Sequence, residues 1–329
     1  MAKLFTKNTL LCRENDQLMK NLKILLFLFI CNWVSAQNDV YLFSYFTQNG
    51  QDGLHFAYSL DGLKWDSLNN GKSYLTPSVG KDKLMRDPCI VQAEDGTFHM
   101  VWTSGWWDRS IGYASSHDLV HWSEQKAIPV MEHELTARNS WAPELFFDKK
   151  TKEYLIFWAS TIPNRHTDVA ESEREKGLNH RLYFTKTKDF KAFSPTQMFL
   201  NSDFSTIDAT ILKHGKLFYM FLKNENPNPP EKNIRLVTVK KLSDISTEIP
   251  PSVSPPITGK YWAEGPTAIE IGAYVYVYFD KYRDHRYGVI RSKDMTTWED
   301  ISDQLEMPKW LRHGTVFKVS EAIFERLKP

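Results

Sequence analysis

The chain has 329 residues, of which 42% are apolar and 14% aromatic, and its net charge is +1. This composition is typical of a globular protein with a large core, and it argues against a disordered chain or a nucleic-acid-binding protein. Eleven tryptophans and fourteen tyrosines beside only fifteen glycines favour β-strands, and surfaces on which flat ligands such as sugar rings can stack.

The N-terminus has the pattern of a secretory signal peptide. From Met19 onward two lysines precede an apolar run from Ile24 to Cys31, and Val34-Ser35-Ala36 fits the small-x-small cleavage rule. We therefore expect residues 1–36 to be removed, with export to the periplasm or the exterior of a bacterial cell. An uncleaved membrane anchor is the alternative; no later segment reaches the ~20 apolar residues of a membrane span.

The expected mature chain, residues 37–329, is nearly neutral. Residues 1–36 carry five basic and two acidic side chains, so 36 basic and 38 acidic residues remain, a net charge of about −2 that does not suit a polyanionic partner. Cys89 is the one cysteine left, so we expect a single domain held by its core without an intramolecular disulfide.

A short turn phrase recurs along the chain. Each copy follows an alternating strand and places Asp or Gly in a turn, and most copies continue into an aromatic residue that begins the next strand. The five copies are SLDGLKW (59–65), SSHDLVHW (115–122), TKDFKAF (187–193), the weaker KKLSDIS (240–246) and SKDMTTW (292–298).

A second series interlocks with the first, because five openings each lead into an apolar strand. They are RDPCIVQ (86–92), WAPELFF (141–147), IDATILK (207–213), AEGPTAIEI (263–271) and RHGTVFKV (312–319). Repeats of four strands are the units of a β-propeller. The last unit lacks its later strands, and the segments after residue 38 look like those missing strands. We therefore predict an all-β fold, a five-bladed β-propeller closed by pairing of its N- and C-terminal strands in one blade.

In a propeller the first strand of each blade lines the central channel, so the five openings should converge on one cavity. The sequence places Asp87, Glu144, Asp208, Glu264 and His313 there, on what we expect to be five equivalent positions. Crowded carboxylates shift one another's pKa values, which favours a functional site. The long charged stretch 162–181 is predicted to be a loop inserted in the second of these units, either at the rim of the site or as a solvated decoration.

The openings RDP, WAPE, IDAT, AEGPT and RHGT resemble glycoside hydrolase family 43, over essentially the whole of residues 37–329. The resemblance implies that Asp87 is the general base, that Asp208 tunes a pKa and that Glu264 is the general acid. An inverting glycosidase needs an ionised and a protonated carboxyl group about 6.5–9.5 Å apart. We expect repulsion from Asp208 to keep Glu264 protonated near neutral pH.

Two positions are read with alternatives. Many relatives carry Asp where this chain has Glu144, which we expect to be a substrate or structural contact. The resemblance implies that His313 faces the channel centre; it is there either for a bound water or calcium ion or as a hydrogen-bonded core residue. No cofactor is required, and calcium is left open because no Asp-rich loop of ligand spacing is present.

Further substrate contacts are predicted from aromatic and charged residues. Trp107 and its neighbour Trp106 lie in a turn between two strands, and Trp141 and Trp262 flank openings, so each could stack on a sugar or pack between blades. Lys223 and Glu225, in LKNEN, resemble a family element at the end of a second strand. Charge pairing between blades would give the same pattern.

Two function classes stay open. The first is an exo-acting inverting glycosidase that removes terminal furanose or pentose sugars from plant-type polysaccharides or oligosaccharides, with α-L-arabinofuranosidase preferred over β-xylosidase or galactan and galactofuranose trimming. The second is a propeller that binds glycans without cleaving them. Asp87 and Glu264 favour the enzyme, because a lectin needs neither a base nor an acid. A sialidase would need an Arg cluster and a Tyr nucleophile, whereas these openings supply acids.

Overall fold

The computed structural model describes residues 39–166, 177–226, 231–246 and 251–328. The predicted signal peptide, residues 1–36, and the middle of the predicted insertion, residues 167–176, lie outside the described residues. In the described part of the chain, no helix has the length and apolar character needed to cross a membrane.

Five small antiparallel sheets make up the fold, as the repeats predicted. The closing blade contains β1 (Val40–Tyr45), β2 (His55–Ser59), β3 (Asp66–Ser67) and β19 (Thr315–Val319); blade 1 contains β4 (Arg86–Gln92), β5 (Phe98–Thr103), β6 (Ile111–Ser116) and β7 (Lys126–Ile128). Blade 2 contains β8 (Trp141–Asp148), β9 (Glu153–Thr161), β10 (His180–Thr187) and β11 (Gln197–Leu200).

Blade 3 contains β12 (Thr206–His214), β13 (Leu217–Asn224) and β14 (Asn233–Val239), and blade 4 contains β15 (Glu264–Ile271), β16 (Tyr274–Lys281), β17 (Arg286–Ser292) and β18 (Glu299–Asp300). Among the described residues, the place of a fourth strand in blade 3 holds a single bridge between Val237 and Val253. One α-helix, α1 (Glu321–Leu327), follows β19.

The two ends of the described chain share the closing blade. The C-terminal strand β19 is the innermost strand, and it pairs antiparallel with β1 from Val40 opposite Val319 to Ser44 opposite Thr315. The Ser44 hydroxyl also donates to the carbonyl of Pro88, 2.8 Å away, which ties the closing blade to blade 1. The predicted closure of a five-bladed ring is therefore confirmed.

The core lies between the blades. Within the described residues, five apolar clusters each join two neighbouring blades, so every interface of the ring is filled. Trp102 and Trp158, both fully buried, belong to the clusters on the two sides of blade 1. Since each interface is packed in the same way, the ring holds the channel-lining strands at fixed positions.

The recurring phrase forms an Asp-capped turn after the third strand of a blade. In blade 1 the Asp118 carboxylate accepts hydrogen bonds from the amides of Val120 and His121, while the Ser116 hydroxyl accepts from the amide of Leu119. The same contacts recur around Asp61, Asp189 and Asp294. Asp and a hydroxyl residue, Ser or in blade 2 Thr187, therefore recur in these turns because their oxygens satisfy amides that no strand partner reaches.

Candidate active site

Each first strand carries an extra residue where it enters the channel. In blade 1, Arg86 pairs with Thr103 and Cys89 with Val101, so three steps along β4 match two along β5. The same shift occurs in β8, β12 and β15. It also precedes β19: the amide of Arg312 bonds to the carbonyl of Phe46 and Thr315 pairs with Ser44, again three steps against two. A β-bulge of this kind bends the strand and redirects a side chain.

The bulge corrects the prediction that the five residues are equivalent. Asp87, Asp208 and His313 occupy the same bulge position, whereas Ala142 and Gly265 occupy it in blades 2 and 4. The backbone is left-handed at the first two, with φ of 53° at Asp87 and 51° at Asp208. This strained conformation is typical of functional sites.

Glu264 and Glu144 belong to other layers of the channel. Glu264 stands one residue before the bulge, and Glu144 stands two residues after it. The acidic residues in the openings look equivalent in sequence, but strand register assigns them to three levels. The sequence prediction treated the acidic residues of the openings as the repeated feature, whereas the feature that the blades repeat is the β-bulge.

His313 lies between two carboxylates. Its Nδ1 is 3.3 Å from Oδ1 of Asp87 and 4.0 Å from Oδ1 of Asp208. Burial alone would lower the imidazole pKa, but the hydrogen bond to Asp87 and the charges of both carboxylates raise it to about 9. His313 is therefore a buried imidazolium near neutral pH, with 5% of its surface exposed.

Asp87 is held in its ionised form. Burial opposes ionisation, yet the hydrogen bond and charge of His313, the charge of Arg86 and the Thr103 hydroxyl together lower the pKa of Asp87 to about 2. Thr103 donates to Oδ2 of Asp87 over 2.8 Å and accepts from the amide of Ala142 in the next blade. The carboxylate is thus oriented and charged, as a general base must be.

The carboxyl group of Asp208 has a raised pKa. Burial is the main cause, and the nearby charges of Glu264 and Asp87 add to it against His313 and Lys223, so that the pKa of Asp208 rises to about 6. Its Oδ2 accepts a hydrogen bond from the amide of Gly265, the residue after Glu264. Asp208 is thereby fixed beside the acidic residue of blade 4.

Glu264 bonds to two cations. Lys223 Nζ lies 3.0 Å from its Oε2, and Nη2 of Arg312 lies 3.0 Å from its Oε1. Burial raises its pKa, but the two cations outweigh burial and lower the pKa of Glu264 below its ordinary value. The expectation that repulsion from Asp208 keeps Glu264 protonated is therefore wrong, because it left out the charges of Lys223 and Arg312.

Asp280 completes this ion-pair network. It is the cross-strand partner of Glu264 and accepts a 2.6 Å hydrogen bond from Nε of Arg312. Burial and the neighbouring Glu264 raise the pKa of Asp280 to about 6. Arg312 therefore bridges two acids on adjacent strands and favours the ionised form of each.

Glu144 is deeper in the channel than the substrate contact we predicted. Its carboxyl accepts hydrogen bonds from Thr210 and Thr315 over 3.1 and 3.3 Å, and the Cys89 thiol lies 3.4 Å away. Glu144 is 5% exposed, and burial raises its pKa to about 7. These contacts fit the structural alternative, since Glu144 forms a floor below the bulge residues.

Lys223 and Glu225 also belong to the network: Lys223 pairs with an acid of the next blade, whereas Glu225 pairs within blade 3. Lys223 Nζ lies 2.6 Å from Glu225 as well as 3.0 Å from Glu264 in the next blade. Lys232 Nζ adds a second contact to Glu225, 2.8 Å away. The ion pairs with Glu225 and Glu264 fix the position of the Lys223 ammonium group beside the acid of blade 4.

The predicted aromatic contacts divide into two groups. Trp106 and Trp107 are 37% and 51% exposed and lie 5.6 and 5.7 Å from the ring of Trp141, forming an aromatic wall next to the mouth of blade 2. Trp262 packs instead under the guanidinium of Arg283, 4.1 Å from its ring centre. The guanidinium groups of Arg86 and Arg138 lie over Trp106 and Trp107, as Arg283 lies over Trp262, so what distinguishes the wall is its exposed surface.

The channel centre does not fit a calcium site. Among the described residues, no three His, Cys, Asp or Glu side chains are grouped as metal ligands. Nδ1 of His313 lies 3.3 and 4.0 Å from Oδ1 of Asp87 and of Asp208, so these two carboxylates already have a partner in the protein. Calcium binding stays a prediction that these side chains do not support.

Comparison with known families agrees with this geometry. A family described as "Probable glycosyl hydrolase domain", related to glycoside hydrolase family 43, matches residues 37–325. The chain belongs to glycoside hydrolase family 43. The matched region is thus a glycosyl hydrolase domain of this family, in which inversion of the anomeric centre is typical.

Individual relatives of this family 43 chain are distant. An α-L-arabinofuranosidase of Bifidobacterium longum is 26% identical over 220 residues, which are 59% of this chain and 21% of that protein, so the chain spans about a fifth of this curated relative. An α-L-arabinofuranosidase structure from Lactobacillus brevis has a TM-score of 0.50 at 15% identity and covers 66% of this chain and 72% of its own. A thermostable family-43 glycoside hydrolase has the same TM-score at 16% identity, covering 66% and 71%.

Several site residues were missed by the sequence reasoning. Arg86 and Arg312 stand directly before Asp87 and His313, so the motifs themselves could have identified them. Asp280 and Thr103 lie on the second strands of their blades, outside the motifs. Arg86 stacks on Phe46 and Trp106, 4.6 and 4.4 Å from their ring centres. Only pairing of the first two strands shows that Asp280 and Thr103 reach the acids.

Proposed function

We propose that this family 43 enzyme is an exo-acting α-L-arabinofuranosidase that removes terminal sugars with inversion. The observation that carries the proposal is the Asp87 carboxylate, held ionised by His313 and Thr103 at the same mouth as Glu264. The named activity of the Bifidobacterium longum relative supports the choice of sugar. β-Xylosidase and galactan or galactofuranose trimming are the alternative activities.

In the proposed mechanism Asp87 takes a proton from water as the water attacks the anomeric carbon. His313 and Thr103 keep Asp87 oriented during this step, and His313 compensates its charge. Glu264 gives a proton to the leaving oxygen. Its side chain is 20% exposed against 9% for Asp208, and it stands one residue nearer the mouth, so it is the better placed donor.

Asp208 supports the acid by proton exchange rather than by simple repulsion. The pKa of Asp208 is raised and that of Glu264 is lowered, because the cations Lys223 and Arg312 stabilise the ionised form of Glu264. A bound sugar excludes water from Glu264, and desolvation raises the pKa of a carboxyl group. A filled pocket therefore favours the protonated form of Glu264.

The test is release of 4-nitrophenol from aryl α-L-arabinofuranoside, β-D-xyloside, β-D-galactoside and β-D-galactofuranoside. We expect the arabinofuranoside to be hydrolysed fastest, and Asp87→Asn to lower kcat/KM by at least about a hundredfold because the base is lost. Lys126→Ala, on the outer strand of blade 1, is the control. Faster hydrolysis of another glycoside would reassign the sugar.

The ion-paired state of Glu264 favours one further candidate, a propeller that binds glycans without cleaving them. Two cations on the acid are consistent with a carboxylate that accepts hydrogen bonds from sugar hydroxyls. Silence of the wild type on every aryl glycoside and on arabinan and arabinogalactan, together with binding to those polymers, would establish this candidate.

Export is a separate part of the proposal. The signal-like residues 1–36 support a mature chain that begins at Gln37 in the periplasm or the medium. N-terminal sequencing of the protein from its native host tests this directly, and a start at Met1 or Met19 would contradict it.

A further inference from the structure

A second cavity lies directly behind the Glu264 ion pairs. Asp280 and Arg312, which hold Glu264, also line this cavity of about 370 Å³. The turn from Tyr282 to Arg286 and the loop that leads from Leu305 into β19 form the rest of its wall. Its volume falls within the ~300–1,000 Å³ range of ligand pockets. The cavity is therefore large enough for a sugar and adjacent to the acid.

The wall carries positive charge that the protein does not neutralise. Arg312 is paired with Asp280 and Glu264, whereas the one ion pair of Arg286 among the described residues is with Asp303 at 3.8 Å, and the two side chains of that pair are 53% and 98% exposed. Exposed pairs of this kind contribute little. Lys309 makes no ion pair within the described part of the chain. Two cations therefore face the cavity with their charge available.

The loop also offers an aromatic surface. The side chain of Trp310 is 76% exposed beside the cavity, although a bulky apolar residue gains from burial. Its φ of 68° is in the left-handed region, which is strained for a side chain of this size. Exposed rings of this kind stack on sugar faces. The fold thus accepts strain to present an indole next to Arg286 and Lys309.

The lining of the cavity also includes a buried tyrosine hydroxyl group. Tyr287 lines the cavity and is 5% exposed, and its hydroxyl has no hydrogen-bond partner among the described residues. Burial keeps this phenol neutral, because it raises the pKa of Tyr287 far above its ordinary value. A buried hydroxyl without a partner is costly unless a ligand or water completes it.

We infer that this cavity is a subsite for a sugar that carries a carboxylate, a uronic acid, on the leaving-group side of the scissile bond. Arg286 and Lys309 bind the carboxylate, and Trp310 stacks on the ring. The assignment to the leaving-group side rests on the proposed function, because the acid that protonates the leaving oxygen is Glu264. The preferred substrates are therefore acidic oligosaccharides whose charged residue neighbours the sugar removed.

The test is a binding titration of the full chain followed by saturation-transfer NMR. The probes are methyl β-D-glucuronide and methyl α-D-galacturonide, each compared with its neutral methyl ester. We expect the uronides to bind about tenfold more tightly than the esters, because a charged hydrogen bond is lost in the ester. The difference between the two uronides identifies which uronic acid the cavity prefers.

Variants locate the binding. Arg286→Ala and Lys309→Ala should each weaken uronide binding severalfold and leave ester binding unchanged, whereas Trp310→Ala should weaken both. Lys126→Ala, an exposed lysine on the outer strand of blade 1, is the matched control and should change neither. Raising the salt from about 0.05 to 0.5 M should weaken uronide binding only, since ions screen exposed charges.

Equal affinity for the uronides and their esters would overturn the inference, as would uronide binding that survives the Arg286→Ala, Lys309→Ala double variant. This outcome is distinct from failure of the proposed function, because binding needs no turnover. A chain that binds uronides through these residues but hydrolyses no aryl glycoside keeps the charged cavity and loses the proposed enzyme activity. A chain that hydrolyses an aryl glycoside but binds the uronides no more tightly than their esters keeps the proposed enzyme activity and loses the uronic acid subsite.

Discussion

At the scale of single residues, the His313 imidazolium balances the charge of the site. It faces Asp87 and Asp208 through one ring nitrogen, and no other cation lies as close to Asp87 among the ion pairs of the described residues. Without it, Asp87 would be a buried carboxylate with only Thr103 as a bonded partner and Arg86 as a nearby charge. The charge on His313 is therefore part of the proposed catalytic arrangement and not only of the packing.

This role predicts a change in the pH profile. In His313→Gln the pKa of Asp87 should rise from about 2 toward or above its ordinary value, because burial then acts without the compensating charge. The acidic limb of the kcat/KM profile should move to higher pH. Initial rates on the hydrolysed aryl glycoside between about pH 3 and 8 measure it, and an unmoved acidic limb would contradict the role of His313.

The same pair predicts a pH dependence of stability. His313 has a folded pKa of about 9, above the ordinary 6.5, so its contribution is complete below about pH 6.5 and is lost as the pH rises through 9. Asp87 has a lowered pKa, so its contribution is complete above about pH 4 and is lost as the pH falls toward 2. Urea unfolding of wild type and His313→Gln should differ most between about pH 4 and 6.5. A difference that persists unchanged at pH 9.5 would argue against the ion pair.

Gly265 is required beside Glu264 for a steric reason. Its φ is +57°, and a Cβ at this position would lie 2.4 Å from Cγ of His313. Gly265→Ala should therefore displace His313, lower kcat/KM by at least about a hundredfold and lower the unfolding midpoint. Gly272→Ala, with φ of +60° and no atom within 4 Å, is the control for backbone strain alone. Equal effects of the two substitutions would show that the contact with His313 is unimportant.

The sequence predicted the identity of the site residues better than their roles. The motifs located Asp87, Asp208, Glu264 and His313, and these converge on one mouth. The charge state of Glu264 could not be predicted, because it depends on Lys223 from blade 3 and on Arg312 from the closing blade. Such pairs join positions far apart in the chain, and only the closed ring brings them together.

At the scale of elements, the repeated turn stabilises the fold without touching the site. The Asp118 carboxylate accepts two backbone amides at 3.0 and 2.8 Å. Asp118→Ala should lower the free energy of unfolding by about 1 kcal/mol, because both amides lose their partner. Asp118→Asn keeps an acceptor oxygen and should recover most of the loss. Calorimetry should show a lower Tm for the alanine variant alone, with kcat/KM unchanged; equal Tm values would remove the capping role.

The strands themselves were predictable, and the bulges were not. Alternating apolar residues and turn phrases are local signals, and they marked the strands that the blades contain. The extra residue at each opening is a matter of pairing between neighbouring strands, since Arg86 and Cys89 face residues two apart on β5. The small and proline residues around the acids, as in AEGPT and WAPE, could have indicated the bulges. The prediction instead aligned the openings by their acidic residues.

At the scale of the whole molecule, closure of the ring depends on one C-terminal strand. Deleting residues 315–329 removes β19, which pairs with β1 and whose Thr315 and Val316 bond to Glu144 and Thr267 of blades 2 and 4. This deletion should abolish the cooperative unfolding transition, because it opens the ring and exposes an edge strand. Deleting residues 321–329 removes only α1 and should lower the midpoint while keeping the transition. A cooperative transition without β19 would contradict closure by the termini.

The most direct test of the central claim, that Glu264 is the acid of an inverting hydrolase and Asp208 its partner, is the dependence of rate on the leaving group. Glu264→Gln should hydrolyse a 2,4-dinitrophenyl glycoside almost as fast as wild type, because this leaving group needs no proton, and a 4-methoxyphenyl glycoside at least about a hundredfold more slowly. Asp208→Asn should slow both substrates by similar factors. If the leaving-group dependence steepens in Asp208→Asn and not in Glu264→Gln, then Asp208 is the acid, and the roles assigned here to the two carboxyl groups are reversed.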